Sequence, residues 1–211
     1  HSRAILEKLS AKGHLHAFDV DEEAIEWGKA LMKEDPRFTI HQRWFGDMAE
    51  ELTPLGLEPA GVLLDIGISS PQLDGGRGFR PEMDGPLDMR FDVDHGDSAW
   101  EWLQTCTREK LVDILIAYGG ENPHCARRIA DAIILARQGL WPGAPDGIPK
   151  RSKEFAALVV AAKGKEYQAM HSAKMTFQAL RIHINREFEE LKRGMSSALS
   201  VMRHGGKLGI I

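Results

Sequence analysis

Cysteine is scarce in this chain of 211 residues, which contains only Cys106 and Cys125. Two cysteines exclude a disulfide framework and a multi-cysteine metal site, and they fit a reducing compartment. His171 and His183 do not stand at metal-ligand spacing from either cysteine. We therefore assign no metal to this sequence.

Long apolar runs, internal repeats and low-complexity tracts are also missing. A helix that crosses a bilayer needs roughly 20 consecutive apolar residues, so we expect no membrane partner. Hydrophobic residues make up 43% and charged residues 27% of the chain, which is typical of a globular protein. A chain of 211 residues allows one large domain or two modest ones.

Charge is distributed unevenly along the chain. Residues 1–105 hold 10 Lys and Arg against 21 Asp and Glu, which gives −11, and residues 106–211 hold 17 against 10, which gives +7. This asymmetry favours a polyanionic partner for the basic half, with chance segregation as the alternative. The basic residues that could contact phosphates are Lys150, Arg151, Lys153, Lys163, Lys165 and Lys174, although such a face is more often simply solvated.

Strand and helix patterns alternate in the first third of the chain. Strand patterns at 14–19 and 38–43 flank a helix that Asp21 can cap and that Asp35-Pro36 ends, and this alternation favours a parallel, doubly wound sheet. The chain begins at His1 within a helical pattern and stops at Ile211 within a strand pattern. We therefore expect a fragment that lacks a strand and loop before His1 and further sheet after Ile211.

The stretch 61–72 organises the rest of the sequence. Residues 62–64 predict a strand buried on both faces, and Asp65 follows it directly. The small residues after Asp65, which include Ser69 and Ser70, predict a turn rather than a helix. Hydroxyls and backbone amides in such a turn can point at a ligand.

The remainder of the chain reads mainly as helix. The segment 74–94 is irregular, and an irregular stretch of this length is usually functional or disordered. Helical patterns follow at 98–105, 107–118, 123–137 and 152–162, and apolar spacing predicts one long helix from Thr176 to about Arg203. Gly205-Gly206 would end it, and a strand begins at Lys207.

Two acids at predicted strand ends suggest a nucleotide-like ligand. Asp19 can accept hydrogen bonds from ribose hydroxyls, because Asp21 already serves as the helix cap. Asp65 lies where open α/β sheets bind ligands. Phe45 follows the next strand after Asp19 and could pack on an adenine, although a core phenylalanine has the same spacing.

Several motifs resemble one known family. These are residues 64–74, the Arg77-Gly78-Phe79 triplet, the run 84–90 that ends in Asp88-Met89-Arg90, and residues 176–182 with Arg181. In this order and over nearly the whole chain, they resemble the bacterial 16S rRNA cytosine-N4 methyltransferases of the RsmH (MraW) family.

The resemblance implies a fold and an activity. It implies an α/β, Rossmann-like methyltransferase sheet with an inserted helical domain, here 1–78 with 175–211 for the sheet domain and 79–174 for the inserted, substrate-recognition domain. It implies transfer of a methyl group from S-adenosylmethionine to N4 of a cytosine in the decoding region of small-subunit ribosomal RNA. The resemblance also implies that the enzyme acts in the cytoplasm, or in the matrix of an organelle. It leaves open whether the protein is a monomer or a dimer.

The resemblance also implies the site residues. The expected cofactor contacts are His1, Asp19, Phe45, Asp65 and Gln72. The chemistry of the residues themselves adds two further expectations. Asp65, together with Ser69 and Ser70, could supply an acceptor that orients the cytosine amine. The irregular segment could hold a flat base, and the expected RNA contacts are Arg77, Phe79, Asp88 and Arg90, with Arg181 from the last motif.

Two other functions stay open at this point. Strand-end acids serve nicotinamide-dependent oxidoreductases equally well, and a relative that binds RNA without catalysis would keep the same motifs.

Overall fold

The computed structural model describes residues 1–74, 76–164 and 173–211, and these form a mixed α/β protein. The strands are β1 (Leu15–Asp19), β2 (Phe38–Gln42), β3 (Gly61–Leu64) and β4 (Lys207–Ile210). The helices are α1 (Ser2–Lys8), α2 (Glu22–Glu34), α3 (Met48–Leu52), α4 (Ser70–Asp74), α5 (Ala99–Thr105), α6 (Arg108–Ala117), α7 (Pro123–Arg137), α8 (Ser152–Lys163), α9 (Lys174–Ile184) and α10 (Glu187–Val201).

The chain divides into two compact units. One contains His1–Gly67 with Glu187–Ile211, and the other contains Ile68–Arg186. These limits differ from the predicted domain limits at 78/79 and 174/175, because residues on α9 and after β3 pack into the core of the second unit. Which segments recognise substrate stays a prediction.

The first unit holds two small parallel sheets. β1 pairs with β2 from Leu15 opposite Phe38 to Asp19 opposite Gln42. β3 pairs with β4 from Gly61 opposite Lys207 onward. Because side chains alternate along a strand, Leu15 and Ala17 face a cluster with α1 and α2, whereas Phe18 faces a second cluster with α3 and α10.

The strand before Asp65 is not buried on both faces, as the sequence predicted. Val62 and Leu64 pack into the cluster with α3 and α10, but Leu63 is 43% exposed. The helices that contact this sheet lie on the Val62 face, so an apolar run alone overstated its burial.

The second unit is helical and has one continuous apolar core. Its fully buried side chains come from α5 through α9 and from the loop before them. The largest are Leu87, Met89, Leu103, Leu111, Leu115, Ile129, Ile133, Phe155, Val159, Phe177 and Leu180. Side-chain caps begin two of its helices: Ser98 forms a capping box with Glu101, and Thr107 accepts from the backbone N–H of Lys110. Within the described ranges, every helix is too short or too polar to span a bilayer.

The predicted single helix from Thr176 to Arg203 is wrong. It is two helices, because Asn185 and Arg186 interrupt the α9 pattern, and Arg186 adopts a left-handed φ of 49°. The side chain of Asn185 donates to the carbonyls of Arg181 (2.9 Å) and Met89 (2.7 Å). Apolar periodicity continues across this break, so spacing alone did not reveal it.

Three histidines line one face of the β1–β2 sheet. His14 and His16 alternate with Leu15 and Ala17, and Nδ1 of His16 lies 3.0 Å from Nε2 of His41. The ring of Phe18 stacks on His41 at 4.6 Å. Burial, with the neighbouring histidines, lowers the pKa of His16, and burial lowers the pKa of His41 although Glu51 opposes it.

This arrangement predicts a loss of stability in mild acid. A folded-state pKa below the unfolded value near 6.5 means that stability is complete above that value and declines as pH falls through the folded pKa. We expect the melting temperature to be lower at pH 5 than at pH 7.5. This difference should be smaller in the His16→Leu/His41→Leu variant. His204→Gln, which changes an exposed histidine, is the control. If the double variant kept the full pH dependence, His16 and His41 would not be its source.

Candidate functional site

Asp19 lies at the carboxyl end of β1 with its carboxylate held by the following turn. Its Oδ1 accepts hydrogen bonds from the backbone N–H groups of Val20 (2.8 Å) and Asp21 (2.9 Å). Asp21 instead caps α2 through the backbone N–H of Glu23. The predicted cap at Asp21 is therefore confirmed, and the carboxylate of Asp19 is oriented at the strand end by the backbone of the following turn.

Phe45 begins a short 3₁₀ turn, Phe45–Asp47, just after β2. The carboxyl ends of β1 and β2 are aligned, since the backbone N–H of Arg43 donates to the carbonyl of Asp19 at 3.0 Å. The half-buried ring of Phe45 packs against the cluster shared with α10. It thus has a core contact and also remains partly exposed at the edge that carries Asp19.

Asp65 and His1, two of the predicted cofactor contacts, are brought together. Nδ1 of His1 lies 3.1 Å from Oδ2 of Asp65, and both side chains are about 60% exposed. Backbone hydrogen bonds between β3 and Ile211 fix the chain on either side of Asp65, at Leu64 (3.0 Å) and Ile66 (2.8 Å). The backbone at Asp65 is therefore held in place, and its carboxylate is accessible to solvent at the carboxyl end of a parallel strand.

The predicted turn after Asp65 is instead a helix from Ser70. Ser69 and Gln72 form a capping box: Oγ of Ser69 accepts from the backbone N–H of Gln72 (3.3 Å), and Oε1 of Gln72 accepts from that of Ser69 (2.9 Å). Pro71 is favourable in a first helical turn. The hydroxyl of Ser69 and the buried amide of Gln72 therefore stabilise α4, and Ser70 lies exposed at its first position.

The predicted RNA contacts between residues 77 and 90 help to build their own loop. Phe79 is buried against Phe91, and the guanidinium of Arg77 lies 5.6 Å from the ring centre of Phe79. Arg90 makes two hydrogen bonds of 2.8 Å to Asp88. Burial raises the pKa of Asp88, but the hydrogen bonds from Arg90 outweigh it and hold this pKa below its usual value.

Asn185 was not identified from the sequence, although it anchors this loop. Its Oδ1 accepts from the backbone N–H of Phe91 (2.7 Å), and its amide group donates to the carbonyl of Met89. Met89 is fully buried and has a left-handed φ of 63°, a costly conformation that surrounding contacts must maintain. An asparagine at a helix C-terminus is the one signal that could have indicated it.

The predicted phosphate contacts have different surroundings. Lys150 lies 4.8 Å from the ring centre of Trp100, Arg151 pairs with Asp84, and Lys174 lies 3.4 Å from Glu82. Lys153 is exposed, and Arg181 is half-buried on α9. Lys165 and His171 lie outside the described residues.

Lys163 was wrongly predicted as a surface phosphate contact. Its Nζ lies 2.6 Å from Oε1 of Glu121, and both side chains are only 3% exposed. Thr176 donates to the same oxygen at 2.9 Å. A buried, paired ammonium cannot reach a phosphate. Glu121 instead links the end of α8, through Lys163, to the start of α9, through Thr176.

Among the residues that the structure describes, no group of three or more histidine, cysteine or acidic side chains could hold a metal ion. The described site offers carboxylates and an imidazole for hydrogen bonding and one aromatic ring for packing, all near the ends of parallel strands.

Comparison with known proteins gives one consistent family. Residues 1–211 match the MraW methylase family. A ribosomal RNA small subunit methyltransferase H from Thiobacillus denitrificans is 41% identical over 213 residues, which cover the whole chain and 65% of that relative. A protein of the same name from Xanthomonas campestris pv. campestris is 40% identical over 212 residues, which cover the whole chain and 59% of it. The chain thus spans about three fifths of the length of these curated relatives, and it belongs to the MraW methylase family.

Proposed function

We propose that the protein transfers a methyl group from S-adenosylmethionine to the exocyclic N4 of a cytosine in small-subunit ribosomal RNA. The observation that carries this proposal is the set of oriented groups at the carboxyl ends of β1, β2 and β3, in a chain that belongs to the MraW methylase family throughout. The curated relatives are named for methylation of small-subunit ribosomal RNA.

The groups at these strand ends match the chemistry of the cofactor. The carboxylate of Asp19 suits a ribose diol, because two backbone N–H groups hold its Oδ1 and so fix the orientation of the carboxylate at the strand end. The ring of Phe45 suits an adenine. The pair of His1 and Asp65 offers a donor and acceptors to the charged methionine end. The amide of Gln72 is the fifth contact in this proposal.

When bound, the sulfonium of the cofactor supplies an activated methyl group. The residues of the protein then mainly position the amine in line with it, since this transfer needs no covalent enzyme intermediate. The lone pair of a cytosine amine is delocalised into the ring. An acceptor such as Asp65 would orient its N–H and favour the attacking geometry, while Ser69 and Ser70 follow on the same segment.

The division into units supports a separation between a unit that binds the cofactor and a unit that binds RNA. We infer that the two parallel sheets of the first unit belong to one Rossmann-like sheet, because both contribute side chains to the same apolar cluster. The helical unit would then be the inserted domain that binds RNA, and the cytosine would have to leave its stack to reach the strand ends.

Calorimetric titration of the full-length protein with S-adenosylmethionine and with NAD tests the proposal. We expect binding of S-adenosylmethionine alone, followed by methylation of small-subunit ribosomal RNA. Asp65→Asn should lower turnover at least tenfold, about 1.4 kcal/mol in barrier height. Binding of NAD alone would indicate an oxidoreductase, and RNA binding without methylation would indicate the inactive relative. Unchanged turnover in Asp65→Asn would remove this residue from catalysis.

A further inference from the structure

Helix α10 contacts the turn that carries Phe45 with a single face. The participating residues occur at intervals of three, four and seven, which places them on one side of a helix. They are Glu190, Arg193, Gly194 and Ser197. Each contacts a different position between residues 45 and 49, so the turn packs against α10 along its whole length.

Two glycines allow this close approach. A Cβ on Gly194 would lie 2.5 Å from Cε2 of Phe45, so the ring lies directly on the helix backbone. A Cβ on Gly46 would lie 2.7 Å from Oε2 of Glu190. A side chain at position 194 would displace the ring of Phe45, and one at position 46 would displace the carboxylate of Glu190 and press on Cβ of Arg193 at 3.0 Å.

Arg193 provides the charged link between helix and turn. Its guanidinium pairs with Asp47 in the turn and with Glu190 one helical turn earlier. The hydrogen bonds to Glu190 and then to Asp47 raise the pKa of Arg193 above its ordinary value. Oε2 of Glu190 is buried and has no hydrogen-bond partner among the described residues, so removal of Arg193 would leave a buried carboxylate uncompensated.

We propose that Arg193 is a positioning residue for the adenine end of the cofactor. By fixing Asp47 it holds the turn, and therefore the ring of Phe45, against Gly194. This inference rests on the proposed function, because it concerns the ligand that Phe45 would contact. It assigns a part in cofactor affinity to α10, a segment to which the sequence analysis gave no functional role.

The test compares Arg193→Ala, Arg193→Lys and a control, Lys192→Ala, on the adjacent exposed position. The measurements are the Kd and KM for S-adenosylmethionine, the KM for the RNA substrate, kcat and the melting temperature without ligand. For Arg193→Ala we expect the Kd and KM for the cofactor to rise about tenfold, with the KM for RNA and kcat unchanged. Arg193→Lys should recover part of the affinity, and Lys192→Ala should resemble the wild type.

The outcomes separate this inference from the proposed function. If the wild-type protein does not bind S-adenosylmethionine, the proposed function fails and the role of Arg193 fails with it. If the wild type binds and Arg193→Ala binds equally well, only the positioning role is overturned. A variant that loses melting temperature but keeps its cofactor KM would also overturn it, since Arg193 would then be structural alone.

Discussion

Replacement of Glu121 by glutamine is expected to lower the free energy of unfolding by roughly 3–5 kcal/mol. The carboxylate is the partner of Lys163 in an ion pair whose side chains are only 3% exposed. Glutamine keeps the shape but removes the charge, which leaves a buried ammonium without compensation. It also weakens the hydrogen bond from Thr176. Urea unfolding of the full-length protein, followed by a signal from the helical unit, measures the change.

Two further variants give this experiment its contrast. Glu121→Leu combined with Lys163→Met removes both charges and should recover most of the lost stability, because the desolvation cost disappears with the pair. Asp131→Asn breaks the exposed pair with Arg108 and should cost at most about 1 kcal/mol. A cost for Glu121→Gln no larger than that for Asp131→Asn would show that the Glu121–Lys163 pair is solvated.

Replacement of Gly85 by alanine is expected to cost about 3 kcal/mol or more. A Cβ at this position would overlap the carbonyl oxygen of Gly76 and lie 2.8 Å from its carbonyl carbon. Both partners are backbone, so no change of rotamer can relieve the contact. The backbone segments 76–78 and 85–86 therefore pass very close to each other. They are also close at Gly78, where a Cβ would overlap the carbonyl oxygen of Pro86 and where φ is +78°.

The cost should be accompanied by local opening of residues 76–91. Gly85 is tied to Ser152 by backbone and hydroxyl hydrogen bonds of 2.9 and 3.0 Å, and displacement would break them. Chemical denaturation gives the loss of stability, and amide hydrogen exchange locates it. Gly143→Ala is the matched control, because its Cβ would make only an ordinary contact at 3.4 Å. Equal stability of the two variants would contradict the close backbone contact between Gly85 and Gly76.

The sequence predicted most elements because their signals are local. Asp21 as the cap of α2 and the limits of α7 are both confirmed. Each depends on a hydrogen bond or an apolar face within a few residues of the signal. The same holds for Asp19 and Asp65, whose positions at strand ends follow from where the strands stop.

The errors arose where distant segments meet. Asn185 ends α9 because its side chain binds Met89 and Phe91, almost a hundred residues away. Lys163 is buried because Glu121 reaches it from the loop after α6. Leu63 is exposed because the helices that contact its sheet lie on the other face. None of these partners can be inferred from spacing along the chain.

Local patterns along the chain were thus enough to predict the alternation of strands and helices, the acids at the strand ends and the motifs of the MraW methylase family. Which polar residues form contacts within the fold became apparent only from the packing of distant segments. The carboxylate of Asp65 is exposed, whereas Asp88 and Arg90 form hydrogen bonds to each other within their loop. The reason is that a buried polar group must find a partner, and the identity of that partner depends on packing rather than on sequence neighbours.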